Sequence, residues 1–308
     1  SSIVVRAPGQ SRSQRTGNPR PSSTSANPRP YSGSVDKTSA PNVILFQTYG
    51  RRAESAIQPG LYRKDTAATR WCPPRADAYR QDVVNASQRA ALQRYDTGKV
   101  ANAIEQLGIR LKNTDYTSPG LRCLSGEGQR ILGYAVTSQV RTSDPPIEGA
   151  RSYYDLGDWW QLIESRPAPR VAVIEDADPR PGFGAVVSDV HAHVLRCLGC
   201  EGVVTNGAVR NLPALREMGF AAFAGFTGLS HAYVHMVAYG GPVRIFGVTI
   251  FPGDLVYVDE HGLIRLPEEH LNDLLRVLEE RAAKEARLMT ACRECPPLAE
   301  LRRLAREL

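Results

Sequence analysis

No stretch of this sequence approaches the roughly 18 consecutive apolar residues that a membrane-spanning helix needs, so no membrane partner is expected. No charged–apolar–small signal pattern is recognisable in it. Cysteine is scarce, six in 308 residues, and its spacing is not that of a small secreted disulfide scaffold. These absences lead us to expect a reducing compartment, the cytoplasm. The glycines of "PGFGAVVSD" (181–189) make neither G-x-G-x-x-G nor G-x-x-x-x-G-K-[ST], and G-x-S-x-G is missing throughout. The usual dinucleotide loop, P-loop and serine elbow are therefore excluded.

Acidic residues are rare in the first quarter. Residues 1–80 hold 13 Lys/Arg against 4 Asp/Glu, and the remainder holds 25 against 28. The net charge of +6 thus belongs to a basic arm, and nucleic-acid binding is not expected of the rest. Residues 1–81, rich in Ser, Pro and Arg, bury too little apolar surface to offset chain entropy. They read as a disordered tail and linker, with "VILFQTYG" (43–50) as a stray strand. The composition also fits a transit peptide for organellar import, or a translated upstream stretch.

Residues 82–308 read as one α/β domain with a mixed sheet, because strands and helices mix without strict βαβ alternation. "SQRAALQRYDTGKVANAIEQLGIR" predicts two helices. Asp96 or Thr97 caps the second, Val100, Ala103, Ile104 and Leu107 form its apolar face, and Gly108 ends it. "QRILGYAVTSQV" (129–140) alternates like a strand; 155–164 predicts a helix and 170–176 a strand. Residues 185–199 predict a helix closed by glycine. Strands are predicted at 202–205, 220–224, 243–251 and 254–258, then a long amphipathic helix after Pro267.

Two C-x-x-C pairs, 197–200 and 292–295, are too far apart for a compact zinc site and read as buried or incidental thiols. His231 and His235 stand one helical turn apart without the glutamate of a metalloprotease, and read as a structural pair. In "HAH", His191 and His193 point in different directions, so one of them at most faces a given site. A more productive constellation joins residues 188–191 with 210–211. A helix starting at "SDVH" offers backbone N–H groups to a small carboxylate, and Arg210 can fork onto the same anion. On pattern alone, Asp189 equally suits a helix start and Arg210 a surface ion pair.

From about Asp96 onward the chain resembles the RraA-like family, which includes 4-hydroxy-4-methyl-2-oxoglutarate aldolases. The stretches that carry the likeness are "DTGKVANAIEQLG", "GYAVTSQV", "SDVHAHVLRCLGCEGVVTNGAVRNLPALREMGFAAFAG", "PGDLVYVDEHGLIRLPEE" and "EERAAKEARLMTAC". The resemblance implies a swivelling β/β/α fold and a homotrimer or homohexamer with its site between subunits. It places Ser188, Asp189, Val190 and His191 against substrate, with Ser188 where the family has glycine. It gives Arg210 to the pyruvate moiety. An aspartate next to that arginine orders a divalent metal in the family; here the residue is Asn211. Glu285 is the matching candidate for an acid supplied by a neighbouring subunit.

The chemistry so implied is a lyase reaction, retro-aldol cleavage or decarboxylation of a small 2-oxo acid to pyruvate. Mg²⁺ or Mn²⁺ and an arginine would stabilise the enolate. Asn211 offers a neutral oxygen in place of a carboxylate, so Asp189 would hold the ion alone and weakly. A non-catalytic protein regulating a ribonuclease is the alternative, and an enzyme on a different small acid a third.

Overall fold

The computed structural model describes residues 84–147 and 155–308. The expected tail, the strand at 43–50 and Cys72 lie outside them. The chain opens with α1 (Ala86–Leu92), which carries a reciprocal capping box between Asn85 and Gln88. In α2 (Thr97–Leu107), Asp96 caps by accepting from the Lys99 N–H at 2.8 Å, and Gly108 ends the helix in the left-handed region. Val100, Ala103 and Ile104 are buried, as the 3.6-residue spacing predicts.

The strands are β1 (Arg122–Cys123), β2 (Ile131–Arg141), β3 (Arg170–Asp176), β4 (Ala185–Val187), β5 (Cys200–Val209), β6 (Ala221–Thr227), β7 (His235–Tyr239), β8 (Val243–Ile245), β9 (Val248–Ile250), β10 (Leu255–Asp259) and β11 (Gly262–Arg265). They form a nearly closed, barrel-like mixed sheet in the order β1-β6-β5-β3-β2-β10-β11, with β4 added to β5 and β7 to β2. Its centre, β2-β3-β5-β6, is parallel.

Side chains alternate across this sheet and build separate layers of core. Val171 and Val173 of β3 face one way and pack with the β8–β9 hairpin. Ala172 and Ile174 face the other way, under α3 (Leu156–Glu164), α4 (Asp189–Cys197) and α5 (Leu212–Glu217). A further layer joins α1, α2 and the long α6 (Leu271–Arg293) to β10. Gly133 fits where β2 crosses close to the chain before β3: a Cβ there would lie 2.7 Å from the Pro169 carbonyl. Among the described residues no helix is long and apolar enough to cross a membrane.

Four sequence expectations need correction. Residues 185–187 are a strand, not the start of a helix, because Ala185 and Val187 pair with Ala208 and Val209 of β5. The helix begins only after Ser188, in extended conformation. Residues 243–251 split into a hairpin, since Phe246 and Gly247 both take positive φ and turn the chain. His235 lies on β7 and His231 in the loop before it, so they do not share a helical face. β2 is buried on both faces rather than alternating, because core layers cover it on each side.

Candidate functional site

The two dipeptides singled out in the sequence meet because their strands are parallel neighbours. β4 leads into Ser188–Asp189 and β5 leads into Arg210–Asn211, with Val187 in register with Val209. The Arg210 N–H donates to the Val187 carbonyl at 3.0 Å and ties the two exits together. Both dipeptides thus emerge at one sheet edge, at the carboxyl ends of the strands, where helices begin.

Ser188 is the N-cap of α4, yet its side chain makes no capping hydrogen bond. Asp189 follows in the first turn, where the helix dipole favours a negative charge. The Asn211 side-chain amide donates from Nδ2 to Asp189 Oδ1 at 2.7 Å. That bond, together with the Val190 N–H and the Asp189 N–H, holds the Asp189 carboxyl below the ordinary carboxylate range. Asn211 sits at φ 59, ψ 41, a left-handed conformation that asparagine tolerates better than most residues.

His191 lies half-buried one step further along α4. Burial lowers its pKa from 6.5, and the nearby charges of Arg210 and His231 lower it further, so the imidazole is neutral at pH 7. Here the sequence had missed an electrostatic neighbour: the charge of His231, in the loop before β7, is felt at His191. His193 turns away and contacts the Asp189 carbonyl through Nδ1 at 2.9 Å. Val190 is exposed at the site's rim.

The other expected residues lie elsewhere. Glu285 pairs along α6 with Arg281 at 3.2 Å, on the helix that packs with α1 and α2. Cys197 is exposed at the end of α4, whereas Cys200 is buried at the start of β5. Burial pushes the Cys200 thiol up to about 12, so it supplies no thiolate near neutral pH.

The donor set at the start of α4 is one carboxylate and one amide, and the amide N–H donates to Oδ1 of that carboxylate. No group of three or more His, Cys, Asp or Glu able to hold a metal exists among the described residues. These residues do not fit a tightly held divalent ion within one chain.

The aldolase/RraA family model matches residues 97–265, which include both dipeptides. The chain belongs to the RraA-like family. It is 26% identical over 165 residues to a putative 4-hydroxy-4-methyl-2-oxoglutarate aldolase of Halalkalibacterium halodurans, covering 52% of this chain and 71% of that protein. It is 25% identical over 169 residues to protein DlpA of Legionella pneumophila, covering 54% of this chain. It spans only 26% of the length of that Legionella relative. Among solved structures, an uncharacterized Pseudomonas syringae protein superposes with a TM-score of 0.56 at 21% identity, over 73% of this chain and 96% of that one. Streptomyces coelicolor RraAS2, described as an unusual member of the RNase ES inhibitor RraA protein family, superposes with a TM-score of 0.53 at 22% identity. That match covers 68% of this chain and 99% of the Streptomyces chain. Both superpositions establish a shared RraA-like fold.

Proposed function

We propose that this RraA-like chain binds a small 2-oxo acid at the start of α4 and acts on it as a lyase that releases pyruvate. The observation that carries this reading is the parallel pairing of β4 with β5, which brings Arg210 to the start of α4, its N–H donating to the Val187 carbonyl at 3.0 Å. The guanidinium takes the substrate carboxylate, and the positive end of α4 adds to its field. With a 4-hydroxy-2-oxo acid, His191 accepts the 4-hydroxyl proton. The C3–C4 bond then breaks, and its electron pair moves toward the C2 carbonyl to give the enolate of pyruvate. Arg210 and the helix end stabilise that negative charge, and His191 returns the proton to C3. Decarboxylation of oxaloacetate would pass through the same enolate.

The family resemblance implies Mg²⁺ or Mn²⁺ at this place. The Asn211–Asp189 bond supports a weaker role for the cation, because the amide already neutralises part of the carboxylate. An assembly of like subunits, trimer or hexamer, would close the site. Val190, in the first turn of α4, and Leu229, beside the end of β5, are exposed and favour a covering partner. Glu285 would enter from such a neighbour.

The test measures pyruvate released from 4-hydroxy-4-methyl-2-oxoglutarate and from oxaloacetate, with chelator and with millimolar Mg²⁺ or Mn²⁺. We expect turnover that Arg210→Ala abolishes. A folded protein that releases no pyruvate from either acid at any metal level overturns the lyase reading. Asn211→Asp should tighten divalent binding about tenfold by calorimetry, the factor equivalent to ~1.4 kcal/mol. Equal binding by both proteins would remove Asn211 from the cation position.

The same amide favours one second reading, a non-catalytic regulator of a ribonuclease. Its test is direct: slowed RNA cleavage by a purified endoribonuclease when this chain is added, with no effect of Arg210→Ala.

A further inference from the structure

Beneath α4, on its sheet-facing side, lies a cavity of about 320 Å³. Its walls are mainly apolar, Val140, Trp159, Trp160 and Leu195 among them, and Ser138, Asp155, His191 and His235 also line it. Apolar cavities of about 150 Å³ accommodate a benzene-sized guest, so this one is large enough for a substituted ring. Two of its lining groups are polar, deeply buried and lack a hydrogen-bond partner: Ser138 Oγ and Trp159 Nε1. Ser138 is 1% exposed and Trp159 3%.

An unpaired buried donor costs folding free energy, and native proteins leave few of them. Two beside one cavity point to a guest. Alternation along β2 explains how Ser138 comes to face it, since Val136 and Val140 lie on the same side of the strand. The indole N–H can only donate, whereas the serine hydroxyl can donate or accept. The guest must therefore present an acceptor oxygen, on a body that is apolar where it meets the tryptophans and aliphatic walls. The aromatic walls favour a ring with offset or edge contacts.

We infer that this cavity is a binding site for a small neutral ring compound bearing one acceptor oxygen, which Trp159 and Ser138 hydrogen-bond. His191 lines the cavity and also feels the charge of Arg210, so an occupant reaches the wall of the acid site. The assignment does not depend on the lyase reading, because it is tested by binding alone.

Acetophenone and ethylbenzene have nearly the same shape, and only the first carries a carbonyl. Titrating the ¹⁵N-labelled full chain with each should move the Trp159 indole N–H resonance strongly with acetophenone and little with ethylbenzene. Trp159→Phe assigns that resonance by deleting it. Ser138→Ala should weaken acetophenone about two- to tenfold, the range of one neutral hydrogen bond, and leave ethylbenzene unchanged. Because this change removes only an unpaired hydroxyl, the variant should fold. No indole shift up to 10-fold molar excess at millimolar protein, or equal binding of both probes by wild type and Ser138→Ala, overturns the assignment.

Discussion

Two helix starts in this molecule are built in opposite ways. At α2, Asp96 caps the Lys99 N–H, and Asp259 of β10, 3% exposed, adds a buried carboxylate. That carboxylate accepts from the Thr97 N–H at 2.7 Å, the Thr97 hydroxyl at 2.6 Å and the His261 N–H at 2.9 Å. At α4, the N-cap serine side chain bonds nothing in the helix, and the first-turn acid is exposed enough to pair with Asn211. The first end is closed by the chain's own oxygens and serves stability. At the second, the exposed Asp189 carboxylate itself takes the Asp189 and Val190 N–H groups and faces solvent rather than core.

Breaking the closed end should have the largest effect. Asp259→Ala leaves two buried Thr97 donors without acceptors and should lower unfolding free energy in urea by about 3 kcal/mol or more. A loss under ~1 kcal/mol would mean that the α2 end is not held this way. At the open end, Arg210→Ala should weaken pyruvate binding about 100-fold, equivalent to ~2.7 kcal/mol of charged hydrogen bonding, with little change in stability. Unaltered pyruvate affinity by calorimetry would take the arginine out of the site. The caps give a smaller and paired contrast. Asp96→Ala should cost about 1 kcal/mol, whereas Ser188→Ala should stay within about 0.5 kcal/mol. Similar losses at both would erase the distinction.

The smallest effect is a titration. His191 is held below 6.5 in the folded chain, so its stabilising contribution is present above that pH and is lost as acid protonates the ring. Its Cε1–H resonance should titrate below 6.5 and move upward in Arg210→Gln, because one of the depressing charges is removed. A midpoint at or above 6.5 in the wild type would contradict the crowded, cationic setting.

How much of this was legible in the sequence follows from the range of the forces involved. Helix α2 was readable because its signals are local: Asp96, the apolar face and Gly108 lie within one stretch. The meeting of residues 188–191 with 210–211 was readable through the family resemblance, and parallel pairing of β4 and β5 supplies its physical cause. Residues 185–187 were misassigned because Ala-Val-Val continues a helical pattern, and only pairing with a strand more than twenty positions away makes it extended. The same limit hid the influence of His231 on His191. The cavity had no local signature either. Trp159 and Trp160 look like ordinary core residues until α3 is laid over β2.

The left-handed backbone at Asn211 has one more consequence. That conformation suits asparagine, aspartate and glycine and penalises branched side chains. Trading amide for carboxylate there alters the local charge by one unit while leaving main-chain geometry at ease. Cation preference at this spot can therefore be retuned by a single atom-for-atom replacement, NH₂ for O⁻, to which the rest of the architecture is nearly indifferent.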